Sequence, residues 1–328
     1  MPRTVFLGTG HFLPERVVTN EELAKRMDTS DEWIQQRTGI RERRMVNPDH
    51  EGTFTLSRDA LQRALDHAGM QASDLDQIII GTVSGEMSCP SVACRVSHAL
   101  GAAPAGAFDL VAACSGFVYS INVAESLVRA GRNSAVGVVG CDTMTTHSDF
   151  SERTVSILFG DAAGAAILVR DDDPSVGCLY QSNQADGSMW ESLYMPRLPR
   201  DVPESDRDNP IKIGCLRMNG REIYRFAVAK FRQVIQEALD ATGLSVDQIS
   251  QFVCHQSNVR IIDAAKDRLG LPPEKVYINI DRYGNSSAGS VGLCLDELWR
   301  AGKINRGDHV VFVAFGGGLT WATSVWKI

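Results

Sequence analysis

The chain has 328 residues, 44% of them hydrophobic, and carries a formal net charge of −7 at pH 7. This is ample for one large core, and we expect two intimately packed halves rather than two independent domains. The acidic balance and the dispersed basic residues argue against nucleic-acid binding. The eight cysteines are scattered without Cys-x-x-Cys pairs, which argues against a disulfide scaffold or a zinc site and fits a reducing cytoplasm.

The N-terminal residues 1–10 predict an opening strand and a glycine turn. This stretch is too short and wrongly flanked for a signal peptide. The chain contains no run of about 18 apolar residues, so we expect no membrane span. Together with the cysteine usage, these features predict a cytoplasmic protein.

The most informative segment of the first half lies between two predicted strands, at residues 78–83 and 136–139. Here residues 108–117 pass from a short apolar run through small residues into an amphipathic helix that closes at Gly131. Cys114 stands at the start of that helix, where free N–H groups and the positive end of the helix dipole stabilise a thiolate. The alternative is that Cys114 is only a small buried side chain.

The two halves of the chain resemble each other. Aligning the chain on itself places Cys114 on Asn285, and the match extends through the helix that follows each of them. The second half also has strand-like runs at residues 252–255 and 310–315. We therefore infer an internal duplication, with an α/β sheet in each half that is mostly parallel and has right-handed crossovers.

We place the boundary between the halves at the acidic stretch 171–174. The N-terminal half then comprises residues 1–173 and the C-terminal half residues 174–328. A long excursion at residues 197–210 contains three prolines and many charges. It either forms part of a cap over the functional site or is a mobile insertion.

Cys114, His255 and Asn285 each follow a predicted strand, at a turn into a helix. Reactive groups in α/β sheets gather at the carboxyl ends of strands, and a local two-fold axis would bring the helix starts at Cys114 and Asn285 toward one cavity. Alone, His255 would be a structural histidine and Asn285 a turn or N-cap residue. The combination of thiol, imidazole and carboxamide predicts a catalytic site.

These residues resemble the 3-oxoacyl-(acyl carrier protein) synthase III family, the initiating ketosynthases of bacterial fatty-acid synthesis, over essentially the whole chain. The Cys-His-Asn set separates this family from elongating ketosynthases, which use Cys-His-His. The resemblance implies an α/β, thiolase-like fold with two pseudo-symmetric βαβαβ-type halves in a layered α/β/α/β/α core. The motifs that carry it are Thr29-Ser-Asp-Glu-Trp-Ile34, Arg37-Thr-Gly-Ile-Arg-Glu-Arg43, Ala112-Ala-Cys-Ser-Gly116, Phe159-Gly-Asp161, His255-Gln-Ser-Asn-Val-Arg-Ile261, Tyr283-Gly-Asn285 and Phe315-Gly-Gly-Gly-Leu-Thr-Trp321.

The resemblance implies a decarboxylative Claisen condensation of an acyl-CoA primer with malonyl-acyl carrier protein, which gives 3-oxoacyl-acyl carrier protein and initiates fatty-acid synthesis. Cys114 would carry the acyl group as a thioester. His255 and Asn285 would donate hydrogen bonds to the enolate formed as carbon dioxide leaves. The N–H groups of Cys114 and Gly317 would form the oxyanion hole. No cofactor or metal is implied, since acyl-CoA and malonyl-acyl carrier protein are substrates.

The resemblance also assigns residues to substrate binding, and it implies a homodimer in which the loop around Cys89 reaches the partner's acyl pocket. The CoA-binding positions are Thr29, Trp33, Arg37 and Arg153. The acyl-pocket positions are Cys89, Met144, Phe159 and Phe315. The carrier-protein docking positions are Arg225 and Arg260, and Arg221 joins them because it falls on the same predicted helical face as Arg225. A basic patch suits an acidic carrier protein, and its alternative is a solvated face with salt bridges.

One position departs from acetyl-selective members of the family. These carry Phe before Pro-Ser in the loop ahead of the nucleophile, and Cys89 stands there in this chain. The smaller side chain leaves room for a longer or branched primer, so a related ketosynthase or acyltransferase of secondary metabolism or signal-molecule synthesis is an alternative. A catalytically silent partner subunit is another, but it would have no reason to keep Cys114, His255 and Asn285.

Overall fold

Strands and helices alternate through both halves of the computed structural model, which describes residues 3–210 and 212–328. Residues 1 and 2 of the predicted opening strand lie outside the described residues. The strands of the first half are β1 (Arg3–Phe12), β2 (Val17–Thr19), β3 (Glu42–Arg44), β4 (Gln77–Gly81), β5 (Gly106–Leu110), β6 (Ala135–Thr143) and β7 (Asp161–Asp171). Its helices are α1 (Asn20–Ala24), α2 (Asp31–Thr38), α3 (Thr53–Ala68), α4 (Val92–Leu100), α5 (Gly116–Arg129) and α6 (Arg153–Ser156).

The second half repeats the alternation and begins after a short link, in which the predicted boundary between residues 173 and 174 falls. Its strands are β8 (Gly177–Ala185), β9 (Leu193–Tyr194), β10 (Arg217–Met218), β11 (Gln251–Cys254), β12 (His309–Gly316) and β13 (Thr320–Lys327). Its helices are α7 (Gly220–Thr242), α8 (Val259–Leu269), α9 (Ile280–Tyr283) and α10 (Gly289–Arg300).

Each half builds one large mixed sheet. The first has the strand order β1-β7-β6-β4-β5 and the second β11-β12-β13-β8. β4 runs parallel to β5 and β6, and β11 runs parallel to β12, whereas β7 and β13 are antiparallel to both of their neighbours. The prediction of mostly parallel sheets is therefore wrong. A parallel return needs a crossover, and β13 instead follows β12 through a tight glycine turn.

α5 and α10 lie together between the two sheets. Ile121 of α5 and Leu295 of α10 belong to the same buried cluster as Val138 of the first sheet and Phe312 of the second. α3 and α4 cover the outer face of the first sheet, and α7 and α8 cover that of the second. The predicted α/β/α/β/α layering is thus confirmed. Both halves share one core, because this central cluster draws on each of them.

The helix predicted after Cys114 is α5, and it ends as expected. Its backbone closes at Ala130, and Gly131 adopts a left-handed conformation with φ of 71°. At its other end, a Cβ on Gly116 would lie 3.2 Å from Ala288 Cβ, closer than an ordinary van der Waals contact. A Cβ at Gly140 of β6 would lie 2.2 Å from the carbonyl oxygen of the same alanine. The two halves therefore approach at backbone distance where α5 and α10 begin.

Residues 186–210 and 212–219 form a cap on one side of the molecule. A short ribbon holds this cap, in which Leu193 of β9 pairs with Met218 of β10. Arg197 donates a hydrogen bond to Ser88 Oγ at 3.2 Å, which ties the cap to the loop that carries Cys89. Most of the predicted excursion, residues 198–210, is exposed. None of the described helices combines the length and the apolar composition that crossing a lipid bilayer demands.

Candidate active site

A cavity of about 970 Å³ opens between the cap and the carboxyl ends of the central strands. Cys114, His255 and Asn285 all line it, so the structure brings the three predicted catalytic side chains to one space. The cap contributes residues 193–195 and Arg197 to the wall, whereas residues 198–210 do not reach it. The segment before the excursion and its first residue, Arg197, therefore cover the site, whereas the rest of the excursion lies outside the cavity wall.

Cys114 lies on a single 3₁₀ turn, Ala113–Ser115, immediately before α5. Ala113 has a positive φ of 47°, as does its counterpart in the second half, Gly284, at 65°. This sharp turn places the thiol at the cavity floor, where it accepts a hydrogen bond from Ser287 Oγ at 3.2 Å. Loops of this shape present a side chain at the end of a strand and open a helix behind it.

The thiol is not predisposed to ionise in the free protein. Burial raises the pKa of Cys114 to about 12, the hydrogen bond from Ser287 opposes this shift, and the buried Asp142 carboxylate adds to it. The direction is opposite to that predicted from the helix start alone, because desolvation of a charged sulfur at the cavity floor outweighs the helix dipole. The protein therefore starts the reaction as a thiol, and a base must remove its proton.

His255 follows β11 and is fixed on both sides. Its backbone N–H donates to Val313 O at 2.8 Å, and its imidazole packs edge-on against Phe315, with ring centres 5.5 Å apart. Nδ1 lies 2.8 Å from Ser290 Oγ, and the Ser290 hydroxyl donates to Ser287 O at 2.9 Å. Because that hydroxyl has one hydrogen, we assign the remaining hydrogen to Nδ1.

The assigned tautomer leaves Nε2 of His255 as a proton acceptor. Burial lowers the pKa of His255 to about 3, so the imidazole is neutral in the free protein. A neutral acceptor next to an un-ionised thiol is suited to a general base. The predicted role of His255 as a hydrogen-bond donor then requires that Nε2 first receives a proton.

Asn285 is held by backbone hydrogen bonds to the segment before β7. Its N–H donates to Leu158 O at 2.8 Å, and its carbonyl accepts from Gly160 N at 3.1 Å. The side-chain oxygen accepts from Ser287 N at 2.9 Å. With Oδ1 engaged, the NH₂ group of Asn285 is the part of the side chain that can donate to a ligand in the cavity.

The glycine turn after β12 lies against the nucleophile. A Cβ at Gly316 would lie 2.6 Å from Cys114 N, so only glycine permits this approach. Gly317 follows at the cavity wall, where a Cβ would lie 3.6 Å from Ala113 Cβ. Gly318 has a φ of 138°, which also favours glycine. Cys114 and Gly317, the two predicted oxyanion-hole residues, are therefore neighbours in space.

Two of the four predicted CoA-binding residues line the cavity. Trp33 and Arg37 line it, whereas Thr29 and Arg153 do not. The Arg153 guanidinium lies over the Trp33 ring, 5.1 Å from its centre, and donates to Asp28. A base could enter between Trp33 and Arg153, as predicted, only after this arginine moves away.

Most of the other predicted contacts also lie at the cavity. Met144, Phe159 and Phe315 form part of its apolar wall, and the exposed Arg221, Arg225 and Arg260 lie along its rim. Cys89 is exposed on the loop ahead of α4 and is not part of the cavity of its own chain. The prediction places Cys89 in the acyl pocket of a second subunit, and the structure contains one subunit.

Three side chains beside the nucleophile were missed by the sequence reasoning. Ser287 belongs to the turn after Asn285 and Ser290 to the first turn of α10, a stretch that the sequence presents only as a run of small residues. Asp142 ends a buried apolar strand, and it accepts hydrogen bonds from Val83 N and Ala288 N. An acid at the end of an otherwise apolar strand is the signal that could have identified it.

This layered fold, with a thiol after β5, an imidazole after β11 and a carboxamide after α9 at one cavity, is that of the thiolase-fold condensing enzymes. Family models described as 3-oxoacyl-[acyl-carrier-protein (ACP)] synthase III match residues 108–187 and, for the C-terminal part, residues 239–328. Beta-ketoacyl-[acyl-carrier-protein] synthase III of Caldanaerobacter subterraneus subsp. tengcongensis is 44% identical over 98% of this chain and 96% of its own length.

Two solved structures extend the comparison. 3-Oxoacyl-[acyl-carrier-protein] synthase III from Aquifex aeolicus VF5 superposes with a TM-score of 0.91 at 38% identity, over 100% of both chains. The priming beta-ketosynthase from the R1128 polyketide biosynthetic pathway superposes with a TM-score of 0.90 at 36% identity, over 99% of this chain and 96% of its own. The chain therefore belongs to the 3-oxoacyl-(acyl carrier protein) synthase III family of acyl-transferring condensing enzymes.

Proposed function

We propose that this protein condenses an acyl-CoA primer with malonyl-acyl carrier protein, releases carbon dioxide and starts fatty-acid synthesis with a 3-oxoacyl-acyl carrier protein. The observation that carries the proposal is the meeting of Cys114, His255 and Asn285 in one cavity of a family member. The substrates bring the activated thioesters, so the proposed chemistry needs no resident cofactor or metal.

In the first half-reaction, His255 Nε2 accepts the proton of the Cys114 thiol as the sulfur attacks the thioester carbonyl of acyl-CoA. The oxygen of that carbonyl becomes negative in the tetrahedral intermediate and accepts hydrogen bonds from the N–H groups of Cys114 and Gly317. Donors aimed at developing charge are each worth roughly 10²–10³ in rate. His255 then passes the proton to the departing sulfur, CoA leaves as a thiol, and the acyl group stays on Cys114.

In the second half-reaction, malonyl-acyl carrier protein enters with a negative carboxylate, which favours the protonated form of His255. Asn285 and protonated His255 donate to the thioester oxygen as the bond to carbon dioxide breaks. The resulting carbanion attacks the acyl carbonyl on Cys114. The Cys114 thiolate leaves and takes the proton from His255, which restores the starting state.

The rim arginines support the proposed docking of an acidic carrier protein. Arg221 and Arg225 are one turn apart on α7, and Arg260 lies at the start of α8. All three are exposed beside the cavity, in a chain with a net charge of −7. Such a local patch steers an acidic partner despite the overall charge, and its effect weakens with salt. The CoA nucleotide is proposed to bind at Trp33.

A homodimer is also part of the proposal. β5 ends the first sheet, and Phe108 on this strand is 38% exposed, while Val111 just after it is 79% exposed. An unpaired strand edge with exposed apolar side chains is suited to pairing with a second copy. Such a dimer would bring the Cys89 loop toward the partner's site.

The protein is also proposed to be cytoplasmic. Its eight cysteines are all free, and free thiols persist in a reducing compartment such as the cytoplasm.

A second candidate function is priming with a longer or branched acyl group for secondary metabolism. It is favoured by the similarity to the R1128 priming ketosynthase and by the Cys89 position. The cavity wall also contains methionines, which adapt to differently shaped acyl chains, and these are Met144, Met195 and Met218.

The test is intact-protein mass spectrometry after incubation with a series from acetyl-CoA to dodecanoyl-CoA and with branched acyl-CoAs, followed by malonyl-acyl carrier protein. The proposal expects an acyl adduct in the wild type and none in Cys114→Ala, and then loss of the adduct with release of carbon dioxide. The acyl group that forms the adduct fastest decides between initiation of fatty-acid synthesis and priming with a longer or branched acyl group. An enzyme that stays unmodified with every donor would contradict both and favour a silent partner subunit.

A further inference from the structure

The turn between Asn285 and α10 contains an unusual backbone conformation. Among the described residues, the non-glycine residues with positive φ are Ala113, at 47°, and Ser287, at 49°. Ala113 directly precedes Cys114 in the chain, and Ser287 contacts the sulfur of Cys114. A side chain held in this sparsely populated region costs about 1–3 kcal/mol and persists where the surroundings demand it. Both strained positions therefore flank the same sulfur atom.

Ser287 also marks a break in the internal symmetry. Its counterpart in the first half is Gly116, which has ordinary helical dihedral angles and begins α5. In the second half the chain stays irregular through Ser287, and α10 begins only at Gly289. This departure turns the Ser287 hydroxyl toward the other half, where Oγ lies 3.2 Å from Cys114 Sγ.

The rest of the turn keeps Ser287 in this position. Its N–H donates to Asn285 Oδ1 at 2.9 Å, and its carbonyl accepts from Ser290 Oγ at 2.9 Å. The residue is buried, with 2% exposure. Since both main-chain groups are occupied, the hydroxyl cannot turn away from the sulfur through a local backbone rearrangement without breaking these bonds.

We propose that Ser287 is a further catalytic residue, whose hydroxyl donates a hydrogen bond to Cys114 Sγ and stabilises the thiolate both when it attacks and when it is expelled. The inference rests on the proposed nucleophilic role of Cys114. A thiolate is a far better acceptor than a thiol, so this bond strengthens as negative charge develops on sulfur. His255 removes the proton, and Ser287 stabilises the charge that remains.

Two titratable groups lie near Cys114 together with Ser287: His255 lines the same cavity, and Asp142 acts on the sulfur through its charge. His255 comes from the end of β11, and its neutral imidazole adds no charge before the reaction. Asp142 comes from β6, is fully buried and disfavours the thiolate. The Ser287 hydroxyl also faces the Asp142 carboxylate. In the structure its single hydrogen is donated to Cys114 Sγ, so the bond that would stabilise the thiolate is already formed with the thiol.

The test measures alkylation of Cys114 by iodoacetamide, which needs no acyl donor and so can fail or succeed independently of the proposed function. The tryptic peptide 96–129 contains Cys114 as its single cysteine, so mass spectrometry follows this thiol despite seven others. Rates are recorded from about pH 6 to pH 9, where alkylation follows the thiolate fraction. The variants are Ser287→Ala and Ser287→Gly. The control is Ser126→Ala on α5, the helix that follows the nucleophile.

We expect alkylation of Cys114 to slow roughly 10- to 100-fold at each pH in both Ser287 variants, the effect of losing a hydrogen bond to a charged group. Ser126→Ala should match the wild type. Ser287→Gly relieves the positive φ, so its slow reaction could not be ascribed to added strain. Wild-type rates in both variants would overturn the proposal. So would a slow Ser287→Ala beside a normal Ser287→Gly, since backbone geometry rather than the hydroxyl would then set reactivity.

Discussion

Nδ1 of His255 lies 2.8 Å from Oγ of Ser290, and this contact decides which imidazole nitrogen faces the nucleophile. Ser290 sits in the first turn of α10 and is 1% exposed. Its hydroxyl also accepts from Gln256 N at 3.3 Å. The start of α10 thereby orients the base that follows β11.

Replacing Ser290 by Ala should lower kcat and leave KM for acyl-CoA nearly unchanged, because Ser290 orients His255 and does not touch the substrate. Losing one buried hydrogen bond costs about 1–2 kcal/mol, or roughly 5- to 30-fold in rate. Steady-state kinetics measure this effect. Nitrogen NMR of histidine-labelled protein checks its cause, since the His255 tautomer should become mixed in the variant. An unchanged tautomer with a lower rate would contradict a positioning role.

The rate of acylation should not fall at mildly acidic pH, because His255 is not protonated there. Burial lowers the pKa of His255 to about 3, so the base is lost only as the pH falls through that value. We therefore expect kcat/KM to stay flat where an ordinary histidine, with a pKa of about 6.5, would lose activity. The measurement is the pH profile of acyl transfer from acyl-CoA. A drop centred near the ordinary value would mean that the imidazole is solvated.

Gly316→Ala should disable acylation without unfolding the protein. The added Cβ would lie 2.6 Å from Cys114 N, so either the glycine turn or the nucleophile must move. Misplacement by about 1 Å can cost about 100-fold in rate. Gly187→Ala is the matched control, since nothing lies within 4 Å of a Cβ at that position. Equal acylation rates of the two variants would show that the approach of the turn to Cys114 is unimportant.

Asp296 should contribute to stability in a pH-dependent way. Burial alone would raise the pKa of this carboxyl, but hydrogen bonds from His11, Arg300 and Thr9 outweigh it and lower the pKa to about 2. A depressed pKa stabilises the folded protein above the ordinary value of about 4, and this contribution is lost as the pH falls toward 2. We expect Asp296→Asn to cost about 2 kcal/mol at neutral pH.

Urea unfolding of the wild type and Asp296→Asn over a range of pH measures that contribution. The difference between the two proteins should shrink as the pH falls from about 4 to about 2, as linkage requires. Asp172→Asn is the control, because its side chain is 84% exposed and should show little difference at any pH. A constant difference for Asp296→Asn would mean that packing rather than ionisation is responsible.

Local patterns in the sequence were enough to predict several of the central strands and α5, whereas the layered core was implied by the family resemblance. The apolar runs at β4 and β12 are buried, and Gly131 closes α5 in the expected conformation. Strand direction was predicted wrongly, because an apolar run shows that a strand is buried but not which way it runs. The direction of β7 depends on the path of the chain between residues 144 and 160, which contains no helix long enough for a crossover.

The chemistry of the site was only partly readable from the sequence. Residue types identified Cys114, His255 and Asn285, but the ionisation of the thiol depends on how deeply it is buried. Ser287 is far from Cys114 in the chain, and its backbone conformation cannot be read from a turn of small residues. Side-chain contacts between the two halves arise only when the sheets stack around α5 and α10.

Because of the glycine contacts where α5 and α10 begin, the spacing of the catalytic groups does not depend on the shape of the acyl cavity. Main-chain atoms at Gly116, Gly140 and Ala288 set the spacing between nucleophile and amide, and no rotamer can alter it. The cavity wall, by contrast, is made of side chains such as Met144 and Leu193, which single substitutions can enlarge or shrink. Starter units can thus diversify within a lineage while the bond-forming step is inherited intact.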